Sequence, residues 1–92
     1  MAYRIRYSDE AKRAIPSIPG NYRQRIRRTI EELATEPLPA EAIELQRELV
    51  GLFKIKIERW RIIYSFNDDA GIVFIIGIRP KTGPQTYENL DR

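Results

Sequence analysis

The sequence has neither cysteine nor histidine. Without cysteine it can form no disulfide framework and perform no thiolate chemistry. Without histidine it lacks the commonest general base and the commonest protein ligand of zinc, so catalytic triads that depend on histidine are excluded. Any catalysis must therefore use lysine, arginine, tyrosine, aspartate or glutamate.

Long apolar runs are also missing. The longest, from Ile72 to Ile78, is far too short to cross a membrane. The first residues, Met-Ala-Tyr-Arg-Ile-Arg, do not have the layout of a signal peptide. We therefore expect a cytoplasmic protein with no membrane partner.

The composition that is present fits a small folded protein. Hydrophobic residues make up 42% of the 92 residues and charged residues 32%, which is typical of globular rather than disordered chains. This length predicts one domain spanning residues 1–92. The formal net charge of +3 is compatible with a nucleic-acid partner but is weak support by itself.

The first half of the chain reads as a strand followed by two helices. Residues 2–7 alternate apolar and basic side chains, which predicts a strand. Ser8 suits the N-cap of a short helix. Asn21 and Gln24 have the spacing of a capping box at the start of a longer helix, which should end by Pro37.

The second half reads as three strands and a short C-terminal segment. Residues 53–66 look like two strands joined by a tight turn, and residues 67–71 look like a hairpin loop. Residues 72–78 are apolar except for a glycine, as expected of a strand covered on both faces. For residues 85–90 a last helical turn and an ordered tail are both open.

These elements predict an α+β fold in the order β-α-α-β-β-β. The last three strands should form an antiparallel meander, because their connections are too short for crossovers. Both helices should pack on one face of the sheet, with the short C-terminal segment added at the end.

Basic side chains should gather on the other face. Strand alternation places Lys54 and Lys56 on one face of the first hairpin strand and Arg61 on one face of the second. If the apolar faces of both strands meet the core, the three cations meet outside it. They repel one another, so the arrangement is easier to explain if an anion binds there. The alternative is an ordinary solvated face.

Three segments then carry a family resemblance: residues 54–56 (Lys-Ile-Lys), 60–64 (Trp-Arg-Ile-Ile-Tyr) and 75–79 (Ile-Ile-Gly-Ile-Arg). Together with the order of elements they resemble the RelE/ParE superfamily of toxins from type II toxin–antitoxin modules, more closely its RelE branch. The resemblance implies an endoribonuclease that cuts mRNA in the ribosomal A site. It also implies a neighbouring antitoxin protein, through which the complex often binds its promoter DNA.

The RelE-type site has two lysines on one strand, an arginine on the next, an arginine ending the last strand, and a C-terminal tyrosine. The resemblance therefore implies a site without a metal ion or other cofactor. The corresponding positions here are Lys54, Lys56, Arg61, Arg79 and Tyr87. We interpret Lys56 as the general base, with Lys54 supporting it and binding phosphate. Arg61 would stabilise the transition state and Arg79 would hold the leaving side. Tyr87 would stack on a base or orient the 2′-hydroxyl.

The C-terminal part of this assignment is less regular. The segment from Arg79 to Tyr87 is longer than the RelE pattern and contains two prolines, so Lys81 could share the RNA-binding role there. Two other functions stay open as well. One is a ParE-like toxin that poisons DNA gyrase without cutting RNA, and the other is an inactive basic module that binds RNA or an acidic partner.

Overall fold

A computed structural model describes residues 2–90 of the protein. Within them the sheet has five strands, namely β1 (Arg4–Tyr7), β2 (Ile43–Glu44), β3 (Phe53–Ile57), β4 (Trp60–Asn67) and β5 (Ile72–Pro80). The same residues include two α-helices, α1 (Asp9–Ala14) and α2 (Gly20–Leu33). They also include three 3₁₀ turns, at Ile15–Ser17, Arg47–Leu49 and Pro84–Tyr87. None of the helices in this part of the chain is both long and apolar enough for a membrane span.

The strands are ordered β1-β5-β4-β3-β2 across the sheet. β3, β4 and β5 form the predicted antiparallel meander, which confirms the α+β prediction. β1 lies parallel to β5, and the two helices make the crossover between this first strand and the rest of the sheet. The short strand β2 was not predicted; it pairs with the start of β3 and adds a fifth strand at the far edge.

The start of α1 agrees with the sequence and the start of α2 does not. The hydroxyl oxygen of Ser8 accepts a hydrogen bond from the Ala11 N–H at 3.0 Å, so Ser8 is the predicted N-cap. The prediction of a capping box at the start of α2 is wrong. That helix begins at Gly20, and Pro19 occupies the N-cap position, where no side chain caps the helix. Proline holds its backbone near the required angle, which is a different way to begin a helix.

Both helices pack on one face of the sheet. Ile26, Ile30 and Leu33 of α2 are buried at helical spacing and join one apolar cluster with strand residues such as Ile62 and Ile75. Removing a fully buried side chain of this kind costs about 2–5 kcal/mol. This cluster covers one face of the sheet and leaves the opposite face for other contacts.

The opposite face has a smaller apolar cluster. Its buried members are Leu45, Leu52, Ile63 and Ile76, and the half-buried residues around it are Leu49, Phe74, Tyr87 and Leu90. The Arg47–Leu49 turn and the Pro84–Tyr87 turn therefore cover part of this face. Of the two readings left open for the C-terminal segment, the helical turn is the one observed.

A bulge in β5 decides what the end of the sheet displays. The register between β4 and β5 shifts at Ile63 and Tyr64, which leaves Ile76 as an extra residue in β5. One extra residue reverses the alternation of side chains beyond it. Arg79 consequently lies on the face opposite the helices, directly paired with Arg61. Without the bulge, simple alternation would turn Arg79 toward the helices.

Candidate active site

Three cations from three neighbouring strands form a row, which we call the basic row: Lys56, Arg61 and Arg79. Lys56 is the register partner of Arg61 across β3 and β4, and Arg61 is the partner of Arg79 across β4 and β5. Residues directly opposite on antiparallel strands have Cβ atoms about 4.5–5.5 Å apart on the same face. Lys54 stands two residues before Lys56 on that face, so the structure brings four of the predicted side chains together.

Arg61 is buried without a negative partner. It is only 6% exposed, and its Nη1 donates to the carbonyl oxygens of Glu58 and Trp60, each at 2.9 Å. Among residues 2–90 no carboxylate forms an ion pair with it. Burying a cation without a counter-ion is costly, and such groups concentrate where a protein binds an anion. Arg61 is therefore the strongest indication of an anion site in the molecule.

The two lysines differ in their surroundings. Lys56 is exposed, and no ion pair with it occurs in the described part of the chain. Lys54 is half-buried, and its Nζ lies 5.0 Å from the centre of the Tyr87 ring. An ammonium group at this distance is attracted to the face of the ring. The contact brings Tyr87, the fifth predicted residue, beside the lysine pair although it comes from the C-terminal segment.

Arg79 differs from Arg61 because acceptors already surround its guanidinium group. Nε and Nη2 each donate to one carboxylate oxygen of Glu10 at 2.7 Å. Nη1 donates to the carbonyl oxygens of Thr86 at 2.9 Å and Glu88 at 2.6 Å. The hydrogen bonds from Arg79 lower the pKa of Glu10, and the same bonds raise the pKa of Arg79. Contact between Arg79 and the leaving side of a phosphate stays a prediction.

Gly77 leaves space for the Glu10 carboxylate, because it has no side chain. A Cβ atom added to Gly77 would lie 2.7 Å from Oε2 of Glu10, closer than real Cβ contacts. The carboxylate thus sits where the side chain of any other residue would begin. The neighbouring Ser8 hydroxyl donates to the Ile76 carbonyl at 2.5 Å, which fixes the start of α1 against β5.

The C-terminal turn is held by internal hydrogen bonds as well as by Arg79. Thr86 is 1% exposed, and its Oγ1 accepts the N–H of Thr82 at 2.8 Å. Lys81 lies just before this turn. Its backbone N–H donates to the Arg59 carbonyl at 2.7 Å, and its side chain is exposed. Lys81 therefore stands near the β3–β4 turn, at the end of the sheet where the basic row lies.

The sequence alone predicts neither the contact of Glu10 with Arg79 nor the role of Gly77. Glu10 lies in the first turn of α1, where acidic residues are common because they favour the helix N-terminus. Its partner Arg79 lies 69 positions further along the chain. No local pattern announces such a contact, because it depends on how α1 packs beside β5. Within residues 2–90 no group of three or more acidic, histidine or cysteine side chains is arranged to hold a metal ion.

A family model described as "ParE toxin of type II toxin-antitoxin system, parDE" matches residues 3–82. The chain belongs to this toxin family. The match covers the whole sheet, including Arg79 and the other three cations of the candidate site, and it ends before Tyr87. No curated protein sequence is significantly similar to this toxin.

Solved structures show the same fold. One is a chain of the toxin–antitoxin complex RelBE2 of Mycobacterium tuberculosis, with 24% identity, a TM-score of 0.77, and coverage of 88% of this toxin and 100% of that chain. Another is from the archaeal RelE–RelB complex of Pyrococcus horikoshii, with 26% identity, a TM-score of 0.72, and coverage of 87% and 96%. A mutant of the Escherichia coli toxin RelE in the free state has 20% identity, a TM-score of 0.76, and coverage of 95% and 92%.

Proposed function

We propose that this toxin is an endoribonuclease that cuts mRNA in the ribosomal A site. The observation that carries the proposal is the basic row, in which Arg61 is buried without a carboxylate partner. Lys54 and Tyr87 lie beside the row and add a fourth cation and an aromatic ring. Together they offer what a single-stranded RNA needs, namely positive charge for its phosphate and a flat surface for a base.

The proposed reaction uses the ribose of the RNA as the nucleophile. The 2′-oxygen attacks the adjacent phosphorus, a new O–P bond forms, and the bond from phosphorus to the 5′-oxygen breaks. A base must take the 2′-hydroxyl proton, cations must stabilise the charged phosphorane, and the leaving 5′-oxygen must gain a proton. The products are a 2′,3′-cyclic phosphate and a 5′-hydroxyl end.

We assign these roles to the clustered side chains. Lys56 takes the 2′-hydroxyl proton, and Lys54 binds the phosphate and protonates the leaving oxygen. Arg61 stabilises the phosphorane, because a planar guanidinium can contact two of its oxygens at once. Tyr87 stacks on a base next to the cut, and Lys81 contacts the RNA backbone at the end of the sheet.

The partners follow from the family. The matching RelBE2 structure is a toxin–antitoxin complex, so we propose a cognate antitoxin that covers the basic row and binds promoter DNA in the complex. The proposed mRNA target places the toxin in the cytoplasm. We assign it no cofactor and no membrane partner.

The proposal is tested by inducing the toxin in cells and mapping the 5′ ends of mRNA. We expect cuts at a fixed position within codons, and growth arrest. Lys56→Ala should abolish both while keeping the melting temperature, because Lys56 is exposed and its side chain makes no hydrogen bond in residues 2–90. Lys12→Ala is the matched control, because it removes an exposed lysine from α1, outside the proposed site. Unphased ends, or full cleavage by Lys56→Ala, would refute the assignment.

A second candidate is a ParE-like gyrase poison. The matching family model carries the ParE name, and it ends before Tyr87, so the match does not depend on the full nuclease set. The same induction separates the two functions. Intact mRNA with induction of the DNA-damage response would favour the gyrase target, and intact mRNA without DNA damage would favour an inactive binding module.

A further inference from the structure

One guanidinium group joins three parts of the chain. Arg79 lies in β5, its carboxylate partner Glu10 lies in α1, and its two carbonyl partners belong to Thr86 and Glu88 in the C-terminal segment. The two carbonyls come from the residues immediately before and after Tyr87. Arg79 therefore fixes the backbone on both sides of the tyrosine whose ring contacts Lys54.

We infer that Glu10 is a positioning residue: by fixing the Arg79 guanidinium it holds the C-terminal turn so that Tyr87 lies over Lys54. The inference rests on the proposed function for its effect on RNA cleavage. Its structural part, the placement of Tyr87, stands on the hydrogen bonds alone.

The geometry makes Glu10 necessary to this arrangement. A guanidinium group is planar, so two parallel hydrogen bonds to one carboxylate fix its plane as well as its position. Once Nε and Nη2 are fixed by Glu10, Nη1 can point only along one direction, toward the Thr86 and Glu88 carbonyls. The side chains of Arg79 and Glu10 are 18% and 38% exposed, so water screens this pair less than a surface pair.

Electrostatics gives Glu10 a second effect. Arg61 and Arg79 are direct register partners, so their charges repel. The Glu10 carboxylate neutralises Arg79 and leaves Arg61 as the unneutralised arginine of the basic row. Gly77 supports this arrangement, because a side chain at that position would displace the carboxylate.

The test is limited trypsin digestion followed by mass spectrometry. Lys81 precedes the C-terminal turn, and the hydrogen bonds at the Lys81 and Thr82 amides protect the bond between them while the turn is docked. We expect Glu10→Gln to speed release of the fragment beginning at Thr82 at least fivefold. Asp9→Asn is the control, since it removes the neighbouring charge without touching Arg79, and it should be cut like the wild type.

Two further measurements separate positioning from general destabilisation. Glu10→Asp keeps the charge but shortens the reach by one methylene, so we expect intermediate release of the Thr82 fragment. In NMR spectra, contacts between the Tyr87 ring and the Lys54 side chain should weaken in Glu10→Gln. In the Glu10→Gln variant the maximal rate of RNA cleavage should fall about tenfold, with a smaller change in KM. The reason is that Tyr87 aligns RNA that other groups already bind.

The outcomes are distinguishable from failure of the proposed function. Unchanged trypsin release and unchanged Tyr87–Lys54 contacts in a folded Glu10→Gln or Glu10→Asp variant would overturn the role of Glu10, whatever the RNA assays show. A wild-type toxin that cuts no RNA would instead refute the nuclease, while the digestion and the NMR contacts would still decide whether Glu10 places Tyr87.

Discussion

Arg61 and Arg79 face each other across the same pair of strands and have opposite surroundings. Arg61 is buried and donates to backbone carbonyls, and no carboxylate of residues 2–90 forms an ion pair with it. The guanidinium group of Arg79 instead donates hydrogen bonds to Glu10 and to the C-terminal segment. The sequence offers no reason to treat them differently, since each is an arginine on a strand. The neighbours therefore decide which of two adjacent cations is left without a negative partner and which one holds the structure together.

The two arginines differ in how they affect the stability of the fold and in what they do for activity. A buried cation without a counter-ion weakens a fold, so its presence calls for a compensating use. A partly buried bidentate ion pair stabilises the arrangement around it. Arg61 is thus expected to affect activity more than stability, and Arg79 stability more than activity.

The largest expected effect tests the Arg61 side. Arg61→Gln should lower RNA cleavage by about 10²–10³-fold, the loss typical of removing one group that stabilises transition-state charge. Its thermal unfolding should change less than that of Arg79→Gln, which loses four hydrogen bonds and about 1–3 kcal/mol of unfolding free energy. Calorimetry measures the unfolding of both variants, and assays on programmed ribosomes measure their RNA cleavage. The reverse ranking would show that the two arginines have been assigned the wrong way round.

A smaller effect tests the place of Glu10. Gly77→Ala puts a methyl group 2.7 Å from the Glu10 carboxylate, so the ion pair with Arg79 must shift. We expect a loss of about 1–2 kcal/mol in unfolding free energy, in the range for overpacking. Denaturant titration measures it. In the Glu10→Gln background the same substitution should cost less, and an equal cost in both backgrounds would mean that the clash does not act through the ion pair.

The smallest effect is a pH dependence. The hydrogen bonds from Arg79, with a further contribution from Arg13, hold the pKa of Glu10 below its ordinary value, while its partial burial acts in the opposite direction. The folded protein therefore binds the Glu10 proton less readily than the unfolded chain does. The resulting stabilisation is complete above the ordinary carboxyl pKa and is lost as the pH falls through the lowered one.

Melting curves between pH 7 and pH 3 measure this dependence. The difference in melting temperature between the wild type and Glu10→Gln should be constant near neutral pH and should become smaller in acid. Asp9→Asn serves again as the control for a lost carboxylate on α1. A gap that stays constant down to pH 3 would show that Glu10 does not contribute through its charge.

The alternation of side chains along a strand predicts which residues share a face of the sheet. The alternation from Phe53 to Phe66 placed Lys54, Lys56 and Arg61 on one face, because every second residue of a strand faces the same way. The same rule applied to β5 would have placed Arg79 on the wrong face, since the bulge at Ile76 reverses the alternation.

Other features depend on contacts between distant parts of the chain. The two-residue strand β2 has no periodicity of its own and exists because β3 offers it an edge. Glu10 meets Arg79 only because the β1–β5 pairing brings α1 beside the end of β5. Such features become visible only when the packing of the whole domain is known.

The parallel pairing of β1 with β5 also governs timing. β1 is synthesised well before its sheet partner β5, and contacts such as Ser8 to Ile76 span 68 positions. Pairings over such separations form late in folding. A chain that has been synthesised only as far as β4 therefore lacks both Arg79 and Tyr87. Neither the sheet nor the candidate site can be completed before β5 and the C-terminal turn have been made.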